Sequence, residues 1–138
     1  MQMFGRSEEE WDSLVDNAIA ILREQAAQRK LNSYSELNAA LVRRTGQPAF
    51  DFSVERDRTA MGRLLGEVVQ RTHHETGGML SALVAYIDSN DAGPGFYKLA
   101  THLGLLPPSA TADEKLAFWS RQVKRMHEYH ASPPQQRR

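Results

Sequence analysis

The chain has 138 residues, and its 17 basic and 17 acidic residues balance to a net charge of zero. It contains no cysteine, which excludes disulfides, thiolate metal sites and a cysteine nucleophile. No apolar run approaches the roughly 18 residues that a membrane span requires, and "MQMFGRSEEEW" lacks the apolar core of a signal peptide. The length suits a single domain, expected over residues 1–131, and the absence of membrane and secretion signals predicts a cytoplasmic protein.

Two helices are predicted in the first third of the chain. Ser7 followed by Glu10 makes a capping box, in which two unpaired amide donors at a helix start find partners. Either Ser33 or Ser35 is expected to cap the second helix. Gly46 stands where a left-handed residue commonly ends a helix.

Three more helices are predicted downstream. Asp57 is expected to cap the third, over residues 57–72, and its Gly62 and Gly66 suggest close packing on a neighbouring helix. A fourth helix follows the "GPG" turn. A capping box at residues 111–114 opens the fifth.

Two segments are predicted to be extended. "QPAFDFSV" alternates apolar and polar residues, as a short strand does. "MLSALVAYI", residues 79–87, is apolar on both faces and suits a strand covered on both sides, with the "NSY" or "FDF" region as its partner. The predicted fold class is therefore α+β, mostly helical with about five helices, around a small sheet built on residues 79–87. The polar tail, residues 132–138, is expected to be disordered.

The five histidines are the candidates for metal binding and for acid–base catalysis. His127 and His130 are three residues apart, whereas the zinc-protease signature requires a spacing of four. Adjacent His73 and His74 cannot easily face one ion. No nucleophile elbow or phosphate loop occurs. We therefore predict no metal, no cofactor and no catalytic residue, and lean against an enzyme. A polar pocket that encloses His73, His74 or His102 would reverse this view.

The outer face of the second and third helices is rich in arginine, whose planar fork suits phosphates and carboxylates alike. The residues predicted to contact nucleic acid there are Arg43, Arg44, Arg58, Arg63 and Arg71. Acidic residues share the same segment, so internal ion pairing is the alternative.

The last helix carries a second stripe opposite its core face. Aromatic residues among cations can stack on bases or anchor a protein interface. The candidate interface residues are Phe118, Arg121, Gln122, Arg125 and Tyr129. The alternative is that the fold itself covers this helix on two sides.

The order of these elements resembles a winged-helix arrangement, and more narrowly the DNA-binding domain of the alkyltransferase-like proteins. "NSY" leads into "SELNAALVRRTG", then "RTAMGRLLGEVVQRT" precedes the strand and a glycine-rich turn at 88–95. The resemblance covers about residues 32–104 and implies a recognition helix at 57–72, a wing at 88–95 and DNA as the partner. Alkyl transfer is not implied, because that family's active cysteine is absent. "LSALV…GPGFYKLATHLG" also looks like segments of uncharacterised bacterial proteins, which implies no function.

The predicted function is a non-catalytic, winged-helix-like binding module that contacts nucleic acid through its basic helix face. Asp88 and Asp91 in the turn would repel phosphates, which counts against the wing. The alternative is a protein-interaction or accessory subunit, such as a homodimer formed through the C-terminal helix.

Overall fold

The computed structural model describes residues 2–86 and 91–132. In this part of the chain lie five α-helices: α1 Glu8–Ala27, α2 Tyr34–Thr45, α3 Glu55–Thr76, α4 Pro94–His102 and α5 Ala112–Ala131. Two-residue strands form two small sheets. β1 Gln2–Met3 pairs antiparallel with β2 Arg6–Ser7, and β3 Asn32–Ser33 pairs parallel with β4 Val84–Ala85. The expected mostly helical α+β fold is confirmed.

Three helices begin where their capping signals predict. The Ser7 hydroxyl accepts the Glu10 N–H at 3.1 Å, and the Glu10 carboxylate accepts the Ser7 N–H at 2.8 Å. Thr111 and Glu114 form the same box before α5. Ser33, rather than Ser35, caps α2. These bonds satisfy amide groups that the first helical turn leaves without backbone partners.

The segment before α3 differs from its prediction. Asp57 is not the cap, because α3 begins two residues earlier, and its carboxylate instead accepts the Asp51 N–H at 2.7 Å. Asn38 of α2 bonds to both backbone polar groups of Phe50 at 2.9 Å. Residues 50–54 therefore form a turn, and the predicted "FDF" strand is wrong. These side-chain bonds to the backbone take the place of a strand ladder.

The doubly apolar segment, predicted as a strand over residues 79–87 and described here up to residue 86, is only partly extended. Residues Leu80–Leu83 form a 3-10 turn, and the strand is limited to β4, which pairs with β3 in the predicted "NSY" region. The predicted strand is too long because α1, α3 and α5 enclose residues 80–83 and leave no strand beside them. A 3-10 turn that is enclosed by helices buries its apolar side chains on all sides, as completely as a strand covered on both faces does.

The hydrophobic core consists of two adjoining clusters. The larger joins α1, α2 and α3, and the smaller joins the 3-10 turn to α4 and α5. The buried indole N–H of Trp119 on α5 donates to the Ala82 carbonyl at 2.8 Å. The core thus fixes the chain directly before β4, the strand that leads to the surface.

Besides the strand at 79–87, two predictions fall partly outside the described residues. Of the predicted wing, residues 88–90 lie outside them, while Tyr86 and Asp91 on either side form an antiparallel bridge. Of the tail, only Ser132 is described. The winged-helix resemblance therefore stays a prediction. Among the described helices, none has both the length and the apolar character needed to cross a bilayer.

Candidate ligand cleft

Three of the five arginines predicted to contact nucleic acid bind carboxylates within the chain. Arg44 of α2 donates to both carboxylate oxygens of Glu24 on α1, at 2.6 and 2.9 Å. Arg63 lies 3.7 Å from Glu67. Arg71 lies 3.2, 3.2 and 3.5 Å from three carboxylates, those of Asp12, Asp16 and Glu67. This part of the basic face is a set of ion pairs, as the internal-pairing alternative predicts.

Arg43 and Arg58 differ from the other three arginines. Neither forms an ion pair with any residue in the ranges 2–86 and 91–132. Both are exposed. Arg58 donates through Nη1 to the Phe52 carbonyl at 2.8 Å, which holds its guanidinium against the turn before α3.

The stripe predicted as an exposed interface on α5 begins inside the fold. Phe118 is 5% exposed and packs near Phe96 of α4, with ring centroids 5.8 Å apart. Gln122 accepts the Met79 N–H at 2.9 Å. The expectation that Phe118 faces solvent is wrong, and Gln122 is only partly exposed, because α5 packs against both the 3-10 turn and α4.

The rest of the stripe lies over the end of α3. Arg125 donates through Nε to the Thr76 carbonyl at 2.9 Å, and the Tyr129 hydroxyl donates to Glu75 at 3.1 Å. Arg121 is exposed. The fold thus covers α5 on two sides, and a partner interface on this helix stays a prediction.

Three of the histidines have identified contacts within the fold. His73 and His74 stack on each other at the end of α3, with ring centroids 4.2 Å apart. His127 hydrogen-bonds through Nε2 with the Lys30 carbonyl at 2.9 Å. In the part of the chain that the structure describes, no three potential metal ligands come together.

A cleft of about 560 Å³ opens between α2, α3, β4 and the start of α4. Small-molecule sites in proteins commonly have volumes of roughly 300–1,000 Å³. Its walls are mainly apolar or aromatic, with a few polar groups at the edge. The lining residues are Ser33, Tyr34, Ser35, Phe52, Arg58, Met61, Gly62, Ala85, Tyr86, Gly93, Pro94 and Gly95.

Two tyrosines form one wall of the cleft, and the parallel strands place them side by side. Ser33 pairs with Ala85 in the parallel sheet. The residues that follow them, Tyr34 and Tyr86, therefore lie at the same end of the two strands. Their ring centroids are 4.9 Å apart. A Cβ on Gly93 would lie 2.8 Å from the Tyr34 hydroxyl oxygen and 3.2 Å from the Tyr86 ring. Gly93 therefore lets the backbone close over the tyrosine pair.

The Tyr34 hydroxyl stays protonated at neutral pH. Burial raises the pKa of Tyr34 to about 12, and the nearby Tyr86 acts in the same direction, while a hydrogen bond from the Gly93 backbone opposes both. The group is therefore a neutral donor and acceptor rather than an anionic nucleophile.

Asp91 fixes the rim of the cleft through its contacts within the turn. Its backbone carbonyl accepts the Tyr86 N–H at 3.0 Å. Its carboxylate accepts the Ala92 N–H at 2.7 Å and the Tyr97 hydroxyl at 2.5 Å. Burial, followed by the bond to Asp91, raises the pKa of Tyr97 above its ordinary value. The turn that leads into α4 is thus built around one carboxylate.

Gly62 and Gly66 do not serve the packing role predicted for them. A Cβ added at either position would meet no atom within 4 Å among the described residues. No neighbouring helix therefore approaches α3 at these points, and that prediction is wrong. Gly62 instead faces the open space of the cleft.

Comparison of the chain with known proteins does not indicate what this cleft binds. No protein-family model, curated protein or solved structure matches the chain. Any function must therefore be argued from the residues that the fold brings together.

Arg58 is the one predicted site residue that lines the cleft. The sequence does not indicate the other lining residues, because they belong to five separate segments of the chain. Two signals were present. Gly95 lies in the first turn of α4 and Gly62 lies inside α3, and glycine is unfavourable at both helical positions.

Proposed function

We propose that the protein is a non-catalytic binding module whose ligand occupies the cleft between α2, α3, β4 and α4. The observation that carries the proposal is the cleft itself, which has the volume of a small-ligand site and is walled by Tyr34, Tyr86, Phe52 and Met61. Its shape is built into the fold, because a strand register and buried core contacts position these walls. A preformed apolar cleft lowers the ordering cost of binding.

Gly62 supports the same proposal. A glycine inside a helix costs about 0.5–1 kcal/mol relative to alanine. No atom of the described chain approaches closely enough to require one at this position. A ligand that lies against the backbone of α3 would explain why this position is glycine.

The chemistry of the lining favours binding over conversion. Among the described residues that line the cleft there is no carboxylate, histidine or lysine. General acid–base catalysis requires a group that titrates near the working pH, whereas the pKa of Tyr34 is about 12.

Nuclear magnetic resonance titrations with phenol and indole test the proposal. Both probes are expected to shift the amide signals of residues 33–35, 61–62, 93 and 95. Gly62→Leu fills the cleft and should abolish these shifts. Gly66→Leu, one turn along the same helix and outside the lining, is the matched control. Probes that bind elsewhere, or that bind Gly62→Leu unchanged, would contradict the proposal.

Contact with nucleic acid through the arginine face is a second proposal, favoured by the free charges of Arg43 and Arg58. Two phosphate contacts predict a slope of about −2 for log K against log salt concentration on duplex DNA. The double variant Arg43→Gln/Arg58→Gln should remove that dependence. If Arg44→Gln/Arg71→Gln weakens binding instead, the ion-paired arginines are the contacts and this proposal is wrong.

A further inference from the structure

The cleft differs from the rest of the surface in its charge. Of its lining residues in the described ranges, Arg58 is the one acidic or basic residue. Arg44, Arg63 and Arg71 face carboxylates, whereas Arg58 donates a hydrogen bond to the neutral carbonyl of Phe52. A ligand in the cleft would therefore meet one uncompensated positive charge at the edge of an apolar space.

We propose that the ligand is a small organic anion, with a flat apolar body in the cleft and a carboxylate or phosphate group at Arg58. The inference rests on the proposed function and names the ligand class of the same site. Charge complementarity selects the anion, and the aromatic and thioether walls select the flat body.

The position of Arg58 suits this role. The bond from Nη1 to the Phe52 carbonyl fixes one side of the guanidinium and leaves its other N–H groups available. Planar guanidinium groups bind carboxylate and phosphate oxygens in pairs. The first turns of α2 and α4 border the same space, and their positive dipole ends add a smaller attraction for an anion.

Gly62 lies on the same helix as Arg58, one turn further along. The bare backbone at Gly62 lets a flat group approach α3 directly, while the longer Arg58 side chain reaches the group's charged end. The spacing of four residues places both on one face of the helix. Gly62 therefore serves the flat body of the ligand and Arg58 serves its charged group. A substitution at one residue can test its role without changing the other.

Calorimetric titration with matched probes tests the inference. The probes are indole-3-acetate, its neutral amide, phenyl phosphate and inorganic phosphate. We expect at least one of the two organic anions to bind about tenfold more tightly than the amide, the difference that one charge-assisted hydrogen bond supplies. The tighter of the two identifies the preferred anionic group. Inorganic phosphate should bind more weakly than phenyl phosphate.

Variants assign the effect to Arg58. Arg58→Gln should remove the preference for the anion while it retains binding of the neutral amide, and Arg58→Lys should retain part of that preference. Arg63→Gln, on the same helix but outside the lining, should leave all affinities unchanged. Thermal unfolding of each variant verifies that it is folded.

The outcomes separate the two proposals. If the amide binds in the cleft as tightly as both anions, the cleft is a ligand site but the inference about charge is wrong. The same conclusion follows if Arg58→Gln keeps the full preference. If inorganic phosphate binds as tightly as phenyl phosphate, the apolar body plays no part and the inference is also wrong. If no organic probe binds in the cleft, both proposals fail.

Discussion

Arg71 and Arg58 lie on the same helix, yet their surroundings are opposite. Arg71 is placed among three carboxylates, whereas Arg58 faces a backbone carbonyl at the edge of an apolar cleft. In the sequence both are arginines on one amphipathic helix, and both were predicted to contact phosphate. A count of arginines therefore overstates the charge that a partner can use.

The ion-paired region and the cleft also differ in how favourably each could bind an anion such as phosphate. A phosphate at Arg71 would have to displace Asp12, Asp16 and Glu67 or share the cation with them. At Arg58 no carboxylate of the described residues is paired with the guanidinium, so none would have to be displaced. Since the pairs at Arg71 are exposed, each contributes only a few tenths to about 1 kcal/mol of stability. Their main consequence is that they cancel the local positive potential.

The largest effect is expected at the turn that supports Arg58. Asp57→Ala removes the buried acceptor of the Asp51 N–H and should lower the free energy of unfolding by about 1–3 kcal/mol. It should also weaken probe binding, because the turn carries Phe52. Asp57→Asn keeps an oxygen acceptor, so it should lower the free energy of unfolding by less than Asp57→Ala does. Urea denaturation measures both values. Equal losses for the two variants would show that this hydrogen bond does not hold the turn.

Neutral variants of the two arginines sharpen the comparison. Arg71→Met should lower the unfolding free energy by about 1 kcal/mol, because several exposed ion pairs to α1 and within α3 are lost together. Arg58→Met should change it by no more than about 0.5 kcal/mol, the usual range for an exposed site. Chemical denaturation at low salt measures both values. An equal loss at Arg58 would indicate a structural role for that residue.

Alanine at the two open glycines is expected to stabilise the protein. Gly62→Ala and Gly66→Ala should each raise the unfolding free energy by about 0.5–1 kcal/mol, since no atom obstructs the added methyl group. Only Gly62→Ala should also reduce binding of indole. A loss of stability at either position would mean that α3 has a close neighbour there after all.

The smallest effect concerns acid stability. Hydrogen bonds from the Thr111 backbone and side chain lower the pKa of Glu114 below 4.5 in the folded protein. A depressed pKa stabilises the fold above the unfolded value, and that contribution is lost as the pH falls through the folded value. The stability advantage of the parent over Glu114→Gln should therefore shrink from about pH 6 to about pH 3. A constant difference across that range would show that the carboxylate charge is not involved.

The sequence predicted the helices well because their signals are local. The Ser7–Glu10 and Thr111–Glu114 boxes act between residues three apart, so chain geometry alone brings their partners together. The strand at 79–87 was overestimated because a pattern that is apolar on both faces reports burial but not backbone conformation. The four-residue spacing of Gly62 and Gly66 indicates close packing of a neighbouring helix, but the spacing alone cannot show whether such a helix is present.

By itself the sequence determined the mostly helical fold, the starts of α1 and α5, and the absence of cysteine chemistry. Only the tertiary structure decided which arginines are paired, that Tyr34 stands beside Tyr86, and that Gly62 faces a cleft. The physical reason is range: helix capping acts within one turn of chain. The cleft instead depends on packing between segments far apart in sequence, and no local pattern encodes their positions.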